Sequence, residues 1–432
     1  MKTLRWNQLS NLEQAQALAR PQSANDISEK VAAIIDAVRL GGDQALLNFT
    51  KEFDQVNVSS LQVGEDEFAE ARKNIAPELL SAMNFAFKQI EAYHRAQMPK
   101  AISIETTPGI VCERQARPID AVGLYIPGGS APLISTVLML GIPARLAGCA
   151  TKVLCTPANK NGQVDPAILV AAQLCGIDQV FKVGGAQAIA AMAYGTVTIP
   201  KVLKIFGPGN AWVTAAKVLV AQDPQGALID MPAGPSELMV IADEAANPEY
   251  IAADLLSQAE HGPDSQVLLV STSSTQVDKV KAAVIEQTQG ALRQEIIEQS
   301  LAHARFIEVA SINTALDIAN TYAPEHLILQ VTEPSGYIAK IKNAGAVFLG
   351  PWSAETMGDY ITGSNHVLPT HGYARSISGL SLLDFMKFIS FQTVSHKGLE
   401  IAGPYAEIIA AQEGLMAHKN AVSIRLKDNS YE

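Results

Sequence analysis

Cysteine and positive charge are both scarce in this 432-residue sequence. Four cysteines occur, and none of them follows a CxxC spacing, a pattern that fits a reduced, cytoplasmic setting. Acidic residues outnumber basic residues by 43 to 32, giving a net charge of −11. This balance argues against nucleic acid as a partner.

Long apolar runs are missing as well. No stretch of about 18–20 consecutive apolar residues occurs, so we expect no membrane span. The first residues, MKTLRWNQLSNLEQ, lack the apolar core of a signal peptide. Because 48% of the residues are apolar, the chain is nevertheless expected to fold as a globular, cytoplasmic protein.

The charge balance reverses between Ala121 and Gln222. That window holds seven lysines and arginines but only two acids, Asp165 and Asp178. A locally positive region in an acidic chain favours an anionic ligand such as a phosphate.

The same window repeats one local pattern three times. The apolar runs AVGLYI, QVFKV and VLKIF are each followed by a glycine turn and a helix-like segment. From about residue 237 a second series follows, with the runs ELMVIA, QVLLVS, RFIEVA and HLILQV. The fold class predicted from this alternation is α/β, with two Rossmann-like doubly wound domains and a cleft between them. The first 110 residues and the tail after about 383 are predicted to be helical.

The glycine turns alone do not identify a nucleotide site. No GxGxxG is present, and the acid expected about 20 positions beyond such a loop is missing. Gly128-Gly129, Gly184-Gly185 and the turn at 207–209 could simply permit tight turns. They could also admit the pyrophosphate of a dinucleotide, an alternative that the positive window favours.

Histidine is concentrated in the second half of the chain. Gln258 and His261 are spaced i, i+3 before a Gly-Pro helix stop, so they would share one helix face within reach of one ion. Glu325 and His326 sit at a helix-to-strand junction. His418 is expected between a helix and a final strand, and Asp359 lies in a loop rich in Gly, Ser and Asn.

Imidazole and oxygen ligands without thiolate suit zinc, and to a lesser degree manganese or cobalt. An open site of this kind that also admits substrate is usually catalytic. The competing chemistry is an aldehyde oxidation through a cysteine thiohemiacetal. Cys149, Cys155 and Cys175 are interpreted instead as buried structural thiols.

Several long motifs resemble histidinol dehydrogenases. They include IDMPAGPSELMVIADEAANPEYIAADLLSQAEHGPDSQ at 229–266, together with GLYIPGGSAPLISTVLML, VGGAQAIAA, KIFGPGNAWVTAAK, YAPEHLI, GDYITGSNHVLPT and AHKNAV. The resemblance covers about residues 30–425. It implies oxidation of L-histidinol through L-histidinal to L-histidine with two NAD⁺, the last step of histidine biosynthesis. It further implies one zinc ion per site and a homodimer with intertwined tails.

The resemblance also implies roles for individual residues. The implied zinc ligands are Gln258, His261, Asp359 and His418, and the implied acid/base pair is Glu325 and His326. Substrate contacts are implied for Ser236, Gln258, His261, His326, Asp359, His366, Glu413 and His418. Contacts with NAD are implied for Tyr125, Gln187 and Asn210, while His418 and Glu413 would reach the site of the other subunit.

The implied domain organisation has four parts. Residues 1–25 form an N-terminal helical extension, and residues 26–124 with 237–382 form the main α/β domain, which carries most zinc and catalytic residues. Residues 125–236 form an inserted NAD-binding domain, and residues 383–432 form a helical tail exchanged in the dimer.

The residue types allow two other functions. The same metal ligands beside Glu325 as a general base could serve a zinc hydrolase, although a hydrolase needs no dinucleotide domain. A non-catalytic metal- or nucleotide-binding protein could also keep this fold, but it would have no use for the Glu325-His326 pair.

Overall fold

The computed structural model describes residues 1–21, 27–128, 132–232 and 234–428. Strands and helices alternate along most of this part of the chain. Its strands are β1 (Lys2–Arg5), β2 (Ile102–Thr107), β3 (Ile110–Pro118), β4 (Ala121–Tyr125), β5 (Thr151–Thr156), β6 (Gln179–Lys182), β7 (Lys204–Phe206), β8 (Leu228–Ile229), β9 (Glu237–Ala242), β10 (Gln266–Ser271), β11 (Arg305–Glu308), β12 (His326–Gln330), β13 (Ala346–Leu349) and β14 (Met386–Val394).

The α-helices connect and cover these strands. They are α1 (Asn11–Ala17), α2 (Ser28–Phe53), α3 (Glu65–Asn74), α4 (Pro77–Arg95), α5 (Ile134–Ala147), α6 (Pro166–Leu174), α7 (Gly185–Tyr194), α8 (Ala211–Gln222), α9 (Pro248–Ala259), α10 (Ser274–Thr288), α11 (Gln294–Ala302), α12 (Ile312–Tyr322), α13 (Glu355–Tyr360), α14 (His396–Gln412) and α15 (Met416–Leu426). Short 3₁₀ turns occupy Trp6–Gln8, Pro334–Lys340, Tyr373–Arg375 and Leu382–Phe385. Across the described ranges, no helix combines the length and apolarity needed to cross a bilayer.

A five-stranded parallel sheet occupies the middle of the chain. Its order is β6-β5-β4-β7-β8, so the chain winds outward from β4 in one direction and then returns to build the other side. Helices α2, α7 and α8 cover one face, and α4, α5 and α6 cover the other. This is the doubly wound order of dinucleotide-binding folds.

A six-stranded parallel sheet repeats the same winding. Its order is β1-β11-β10-β9-β12-β13, with β9 as the starting strand. Every residue of β9, β10 and β12 is buried. Because helices cover both faces, these strands are apolar along their whole length, as parallel strands usually are. The predicted α/β class with two Rossmann-like domains is confirmed.

The two terminal segments are not purely helical as predicted. Strand β1 joins the edge of the six-stranded sheet, parallel to β11. Strand β14 pairs antiparallel with β3 in a three-stranded sheet, β14-β3-β2, before α14 begins. The strand expected after His418 is also wrong, because His418 lies inside α15. The boundaries predicted at 25/26 and 432 fall outside the described residues, and the domain limits stay predictions.

The turn after β7 requires glycine at position 207. Gly207 has a φ of +122°, and a Cβ atom added there would lie 2.1 Å from the carbonyl oxygen of Tyr125. Any side chain would therefore separate the ends of β4 and β7. These two strands flank the point where the winding reverses, the usual ligand-binding position in such sheets.

Candidate active site

The candidate site lies at the amino ends of β9, β10 and β12. His326 is the first residue of β12 and pairs with Leu238 of β9. Helix α9 ends at Ala259, just before His261 and the start of β10. Doubly wound sheets usually bind ligands at the carboxyl ends of their strands. This site uses the opposite edge of the six-stranded sheet.

Three side chains at this edge form a cluster suited to a metal ion. One ligand atom each from His261, Glu355 and Asp359 lies within 4.8 Å of the others. Glu355 is almost fully buried, with 1% of its surface exposed. One imidazole and two carboxylates match the nitrogen and oxygen donors that zinc accepts.

Buried polar atoms without partners point to the same position. Both amide atoms of Gln258, Nε2 of His326 and Oε1 of Glu355 have no hydrogen-bond partner among the described residues. His326 Nε2 lies 3.7 Å from Glu355 Oε1 and 3.7 Å from Asp359 Oδ1. An unsatisfied buried polar group costs about 1–3 kcal/mol. A cation held by these donors would remove that cost, so the residues fit a metal.

The backbone of one residue, Glu237, orients the two candidate catalytic side chains. The backbone N–H of Glu237 donates to Glu325 Oε2 at 2.9 Å. The carbonyl oxygen of the same residue lies 3.2 Å from His326 Nδ1. Because a carbonyl only accepts, Nδ1 carries the proton and Nε2 keeps its lone pair facing the cluster.

Arg20 holds Glu237 from behind. Its guanidinium pairs with both carboxylate oxygens of Glu237 and donates to the carbonyl oxygen of Tyr322 at 2.9 Å. The guanidinium carbon also stacks 3.8 Å above the Tyr322 ring centroid. Tyr322 ends α12, and Ala323 next to it is left-handed with a φ of +54°. Arg20 therefore connects β9 to the turn that leads into Glu325.

Burial dominates the electrostatics of the site. It lowers the pKa of His326 to about 3 and that of His366 to about 4, so both imidazoles are neutral at neutral pH. Burial raises the pKa of Glu325 well above its ordinary range. It also raises the pKa values of Glu355 and Asp359, and the charge of Asp359 raises that of Glu355 further. The site therefore resists negative charge unless a cation is present.

The structure places two implied substrate residues beside this cluster. Ser236 directly precedes β9, and its carbonyl oxygen accepts from Gln266 N–H at 2.9 Å. His366 Nδ1 donates to the carbonyl oxygen of Asp359 at 2.9 Å, and its Nε2 lies 3.3 Å from Thr136 Oγ1. Thr136 belongs to α5, so His366 connects the cluster to the five-stranded sheet.

A cavity of about 690 Å³ opens at the carboxyl edge of the five-stranded sheet. Tyr125, Gln187 and Asn210 all line it. Tyr125 ends β4, and its hydroxyl oxygen accepts from Gly185 N–H at 3.0 Å, while burial raises the pKa of Tyr125 to about 12. Asn210 caps α8 by accepting from two backbone N–H groups. The structure thus brings the three implied NAD contacts to one cavity.

Glycine turns form part of the cavity wall. Gly128, Gly184 and Gly185 line it, whereas Gly129 lies outside the described residues. A Cβ added to Gly128 would lie 2.1 Å from Pro157, so the loops after β4 and β5 are in direct contact there. Helix N-termini beside these turns present N–H groups suited to a phosphate.

Glu413 and His418 lie apart from the site within one chain. Glu413 follows α14 and His418 lies on α15, and both side chains are exposed. Among the described residues, neither belongs to the potential metal cluster. Their predicted role depends on a second copy of the chain.

The three buried cysteines provide no activated thiolate. Cys149, Cys155 and Cys175 are buried, as predicted. Burial raises the pKa of Cys149 to about 11, that of Cys175 to about 12 and that of Cys155 further still. Such thiols stay protonated, so the thiohemiacetal alternative loses its nucleophile.

Sequence reasoning missed Glu355, Arg20 and Glu237. Glu355 had a usable signal, because it precedes Asp359 by four residues and therefore shares its helix face. The pair between Arg20 and Glu237 spans 217 residues and carries no local signal.

Comparison with known proteins identifies similar chains. The Histidinol dehydrogenase family model matches residues 18–426. The histidinol dehydrogenase of Xylella fastidiosa (strain Temecula1) is 54% identical over 99% of both chains. That of Legionella pneumophila is 51% identical, covering 98% of this chain and 97% of the relative. The crystal structure of histidinol dehydrogenase from Elizabethkingia anophelis superposes with a TM-score of 0.95 at 49% identity, covering 99% of this chain and 98% of that one.

Proposed function

Because the chain belongs to the histidinol dehydrogenase family, a family of oxidoreductases of histidine biosynthesis, we propose that it oxidises L-histidinol through L-histidinal to L-histidine with two NAD⁺. The observation that carries this proposal is one continuous site. The Glu325-His326 pair adjoins a cluster of nitrogen and oxygen donors. His366 contacts Thr136 in α5, and Pro132, just before α5, lines a cavity suited to a dinucleotide.

We assign a zinc site to Gln258, His261 and Asp359, with His418 of a second subunit as the fourth ligand. The unpartnered amide of Gln258 and the proximity of His261 to Asp359 support this assignment. The imidazole and amine of histidinol would coordinate zinc bound there. This would hold the carbinol carbon in one orientation.

His326 is assigned as the base of the alcohol oxidation. Its Nδ1–H is fixed on the Glu237 carbonyl, so the lone pair on Nε2 is free to accept the substrate hydroxyl proton. Hydride then leaves the same carbon for NAD⁺. The neutral state imposed by burial keeps this lone pair available at physiological pH.

Glu325 is assigned to the second oxidation. Histidinal must add water before a second hydride can leave, and a carboxylate beside the base is placed to remove a proton from that water. The burial that raises the pKa of Glu325 also makes its carboxylate a stronger base. The hydrogen bond from Glu237 N–H keeps this carboxylate oriented.

We propose that NAD⁺ occupies the 690 Å³ cavity, with Tyr125, Gln187 and Asn210 contacting it. The nicotinamide would lie at the end nearest Thr136 and His366. The chain segment around the cavity carries a net positive charge, and helix N-termini lie at its glycine turns. Both features are suited to binding the pyrophosphate of NAD⁺.

We further propose a homodimer in which Glu413 and His418 complete the site of the partner. The tail supports this, because α14 and α15 expose large apolar side chains, among them Tyr405 at 69% and Ile408 at 66%. We also propose a cytoplasmic location, which the acidic composition and the free cysteines support.

The deciding experiment measures the NADH formed per molecule of limiting L-histidinol, with and without a chelator. A ratio of two that chelation abolishes and zinc restores is expected. A ratio of one would mean that the reaction stops at the aldehyde and would remove the role given to Glu325. Absence of NADH would contradict the proposed activity.

A further inference from the structure

The cavity has a near end and a far end relative to His326. Pro132, just before α5, lines it close to the Thr136–His366 contact. Phe53 and Asp54, at the end of α2, line it elsewhere. The chain that follows Asp54 runs along β6, with hydrogen bonds between Val63 and Val180 and between Lys182 and Leu61. Because this segment leads to β6, the outermost strand on that side, we assign Asp54 to the far end.

Asp54 has an unused oxygen at this far end. Its Oδ2 is buried and has no hydrogen-bond partner among the described residues. The burial raises the pKa of Asp54, so its ionised form is destabilised as the side chain stands. Asp54 itself lines the cavity, so its carboxylate is placed to accept hydrogen bonds from a ligand bound there.

We propose that Asp54 binds the hydroxyls of the adenosine ribose of NAD⁺ and thereby selects NAD⁺ over NADP⁺, an assignment that rests on the proposed function. In doubly wound domains this task belongs to an acid about 20 residues beyond the glycine loop. Here that acid is absent from the sequence window. Helix α2, outside the five-stranded sheet, supplies the carboxylate instead.

The neighbours of Asp54 are consistent with an adenosine pocket. The Phe53 ring is 49% exposed and stacks on Phe49 at 5.3 Å, which leaves an apolar face for the adenine. Lys160 is exposed and also lines the cavity. A 2′-phosphate would meet the negative charge of Asp54. Once that charge is removed, Lys160 would attract the phosphate.

The test compares Asp54→Asn with wild-type enzyme, using the full-length chain loaded with zinc. A hydrogen bond to a charged group contributes about 1.5–3 kcal/mol, so KM for NAD⁺ should rise about 10- to 100-fold while kcat changes little. The ratio of kcat/KM for NADP⁺ to that for NAD⁺ should rise at least about tenfold. An NAD⁺ analogue lacking the adenosine 2′-hydroxyl should bind worse than NAD⁺ to wild type and equally to Asp54→Asn.

Asp178→Asn is the matched control. Asp178 is an exposed acid of the same positive segment, and it is not among the described residues that line the cavity. The control should retain wild-type KM values. The inference would be overturned if Asp54→Asn left KM for NAD⁺ unchanged, or if the control raised this KM equally. It would also be overturned if the ratio of kcat/KM for NADP⁺ to that for NAD⁺ did not change in Asp54→Asn.

Two measurements separate this inference from other failures. Calorimetric binding of NAD⁺ without substrate tests Asp54 even if wild-type enzyme does not oxidise histidinol, an outcome that would contradict only the proposed function. Thermal unfolding should show no loss of stability in Asp54→Asn, because Oδ2 has no partner to lose. A marked drop in Tm would reveal a structural partner and reject the ligand role.

Discussion

Glu325 and His326 are adjacent in sequence, yet burial changes their pKa values in opposite directions. The carboxyl is pushed toward its protonated form and the imidazole toward its neutral form. The backbone N–H and the backbone carbonyl of Glu237 contact one side chain each and keep the two in different orientations. Neighbouring groups with separated pKa values are suited to separate proton transfers.

Replacing Glu325 by Gln should therefore affect the two half-reactions unequally. We expect alcohol oxidation to be spared more than aldehyde oxidation, whereas His326→Asn should reduce both, each by about 100-fold or more. Single-turnover rates started from histidinol and from histidinal would measure the difference. Equal losses for Glu325→Gln in the two half-reactions would contradict the division of roles.

Arg20 is expected to stabilise the fold. Its removal would leave the carboxylate of Glu237 buried without its ion-pair partner. Breaking a buried pair typically costs about 3–5 kcal/mol, so Arg20→Met should lower the free energy of unfolding by that order. Kcat should fall more than KM rises, because Glu237 orients the catalytic pair. The double variant Arg20→Met, Glu237→Met should regain stability, as measured by denaturant unfolding.

Arg5→Met is the control for this prediction. Arg5 pairs with Glu308 at 3.3 Å, but 64% of its side chain is exposed. A surface pair of this kind contributes less than about 1 kcal/mol. If Arg5→Met and Arg20→Met were equally destabilising, burial would not be the cause.

Local spacing revealed part of the site and missed the rest. Gln258 and His261 share a helix face, and that signal was sufficient to nominate them. Glu355 carried the same kind of signal with Asp359. Arg20 could not be found, because its partner is brought near only by the pairing of distant strands.

At the scale of elements, His94 of α4 anchors the loop that carries His366. Asp359, predicted to lie in that loop, instead lies in α13, just before it. The Nδ1–H of His94 donates to the carbonyl oxygen of Ile90 at 2.8 Å, and its Nε2 lies 3.3 Å from the amide nitrogen of Asn365. His94 is fully buried, and burial lowers its pKa. The loop is therefore held by an imidazole that must stay neutral.

This burial predicts a loss of stability in acid. The folded pKa of His94 lies below its unfolded value of about 6.5, so the unfolded chain takes up the proton first as the pH falls. Below about pH 6.5, His94 should lower the free energy of unfolding by up to about 1.4 kcal/mol for each pH unit, until the pH reaches the pKa of His94 in the folded protein. Urea unfolding at pH 7, 6 and 5 should show a shallower pH dependence for His94→Gln than for wild type. His303→Gln, at an exposed position, should leave the dependence unchanged.

The central elements were easier to predict than the edge elements. Strands β9 and β10 are buried on both faces, so their sequences are unbroken apolar runs. Strand β1 has four residues and only one buried side chain, too short a pattern to distinguish from a helix start. Strand β14 is exposed along nearly all its length. Its sequence therefore lacks the alternation of apolar and polar residues that identifies a half-buried strand.

At the scale of the whole molecule, the C-terminal tail exposes apolar side chains that a single chain leaves uncovered. Strand β14 exposes Phe388, Ile389 and Phe391, and α14 and α15 expose further apolar residues. A contiguous apolar surface of this kind is typical of a protein interface. In the proposed dimer, the interface and the completion of the active site depend on the same segment.

Subunit complementation should reveal the shared site. His326→Asn and His418→Asn should each be inactive alone. Co-expressed together, half of the dimers should be mixed, and each mixed dimer should contain one intact site, so about a quarter of wild-type activity should return. Mixing the separately purified dimers without exchange is the control. No recovery on co-expression would place His418 in its own subunit or outside the site.

The pairing of β1 with β11 has a consequence for synthesis of the chain. The five-stranded sheet is contiguous, from Ala121 to Ile229, and can close as soon as that segment has emerged. Strand β1 must wait for Arg305 and its neighbours, about 300 residues later. At about 5–20 residues per second this interval lasts roughly 15–60 s. The nascent chain thus carries a completed five-stranded sheet while β1 is still unpaired, and the edge of the six-stranded sheet is closed by a segment made about 300 residues before its partner.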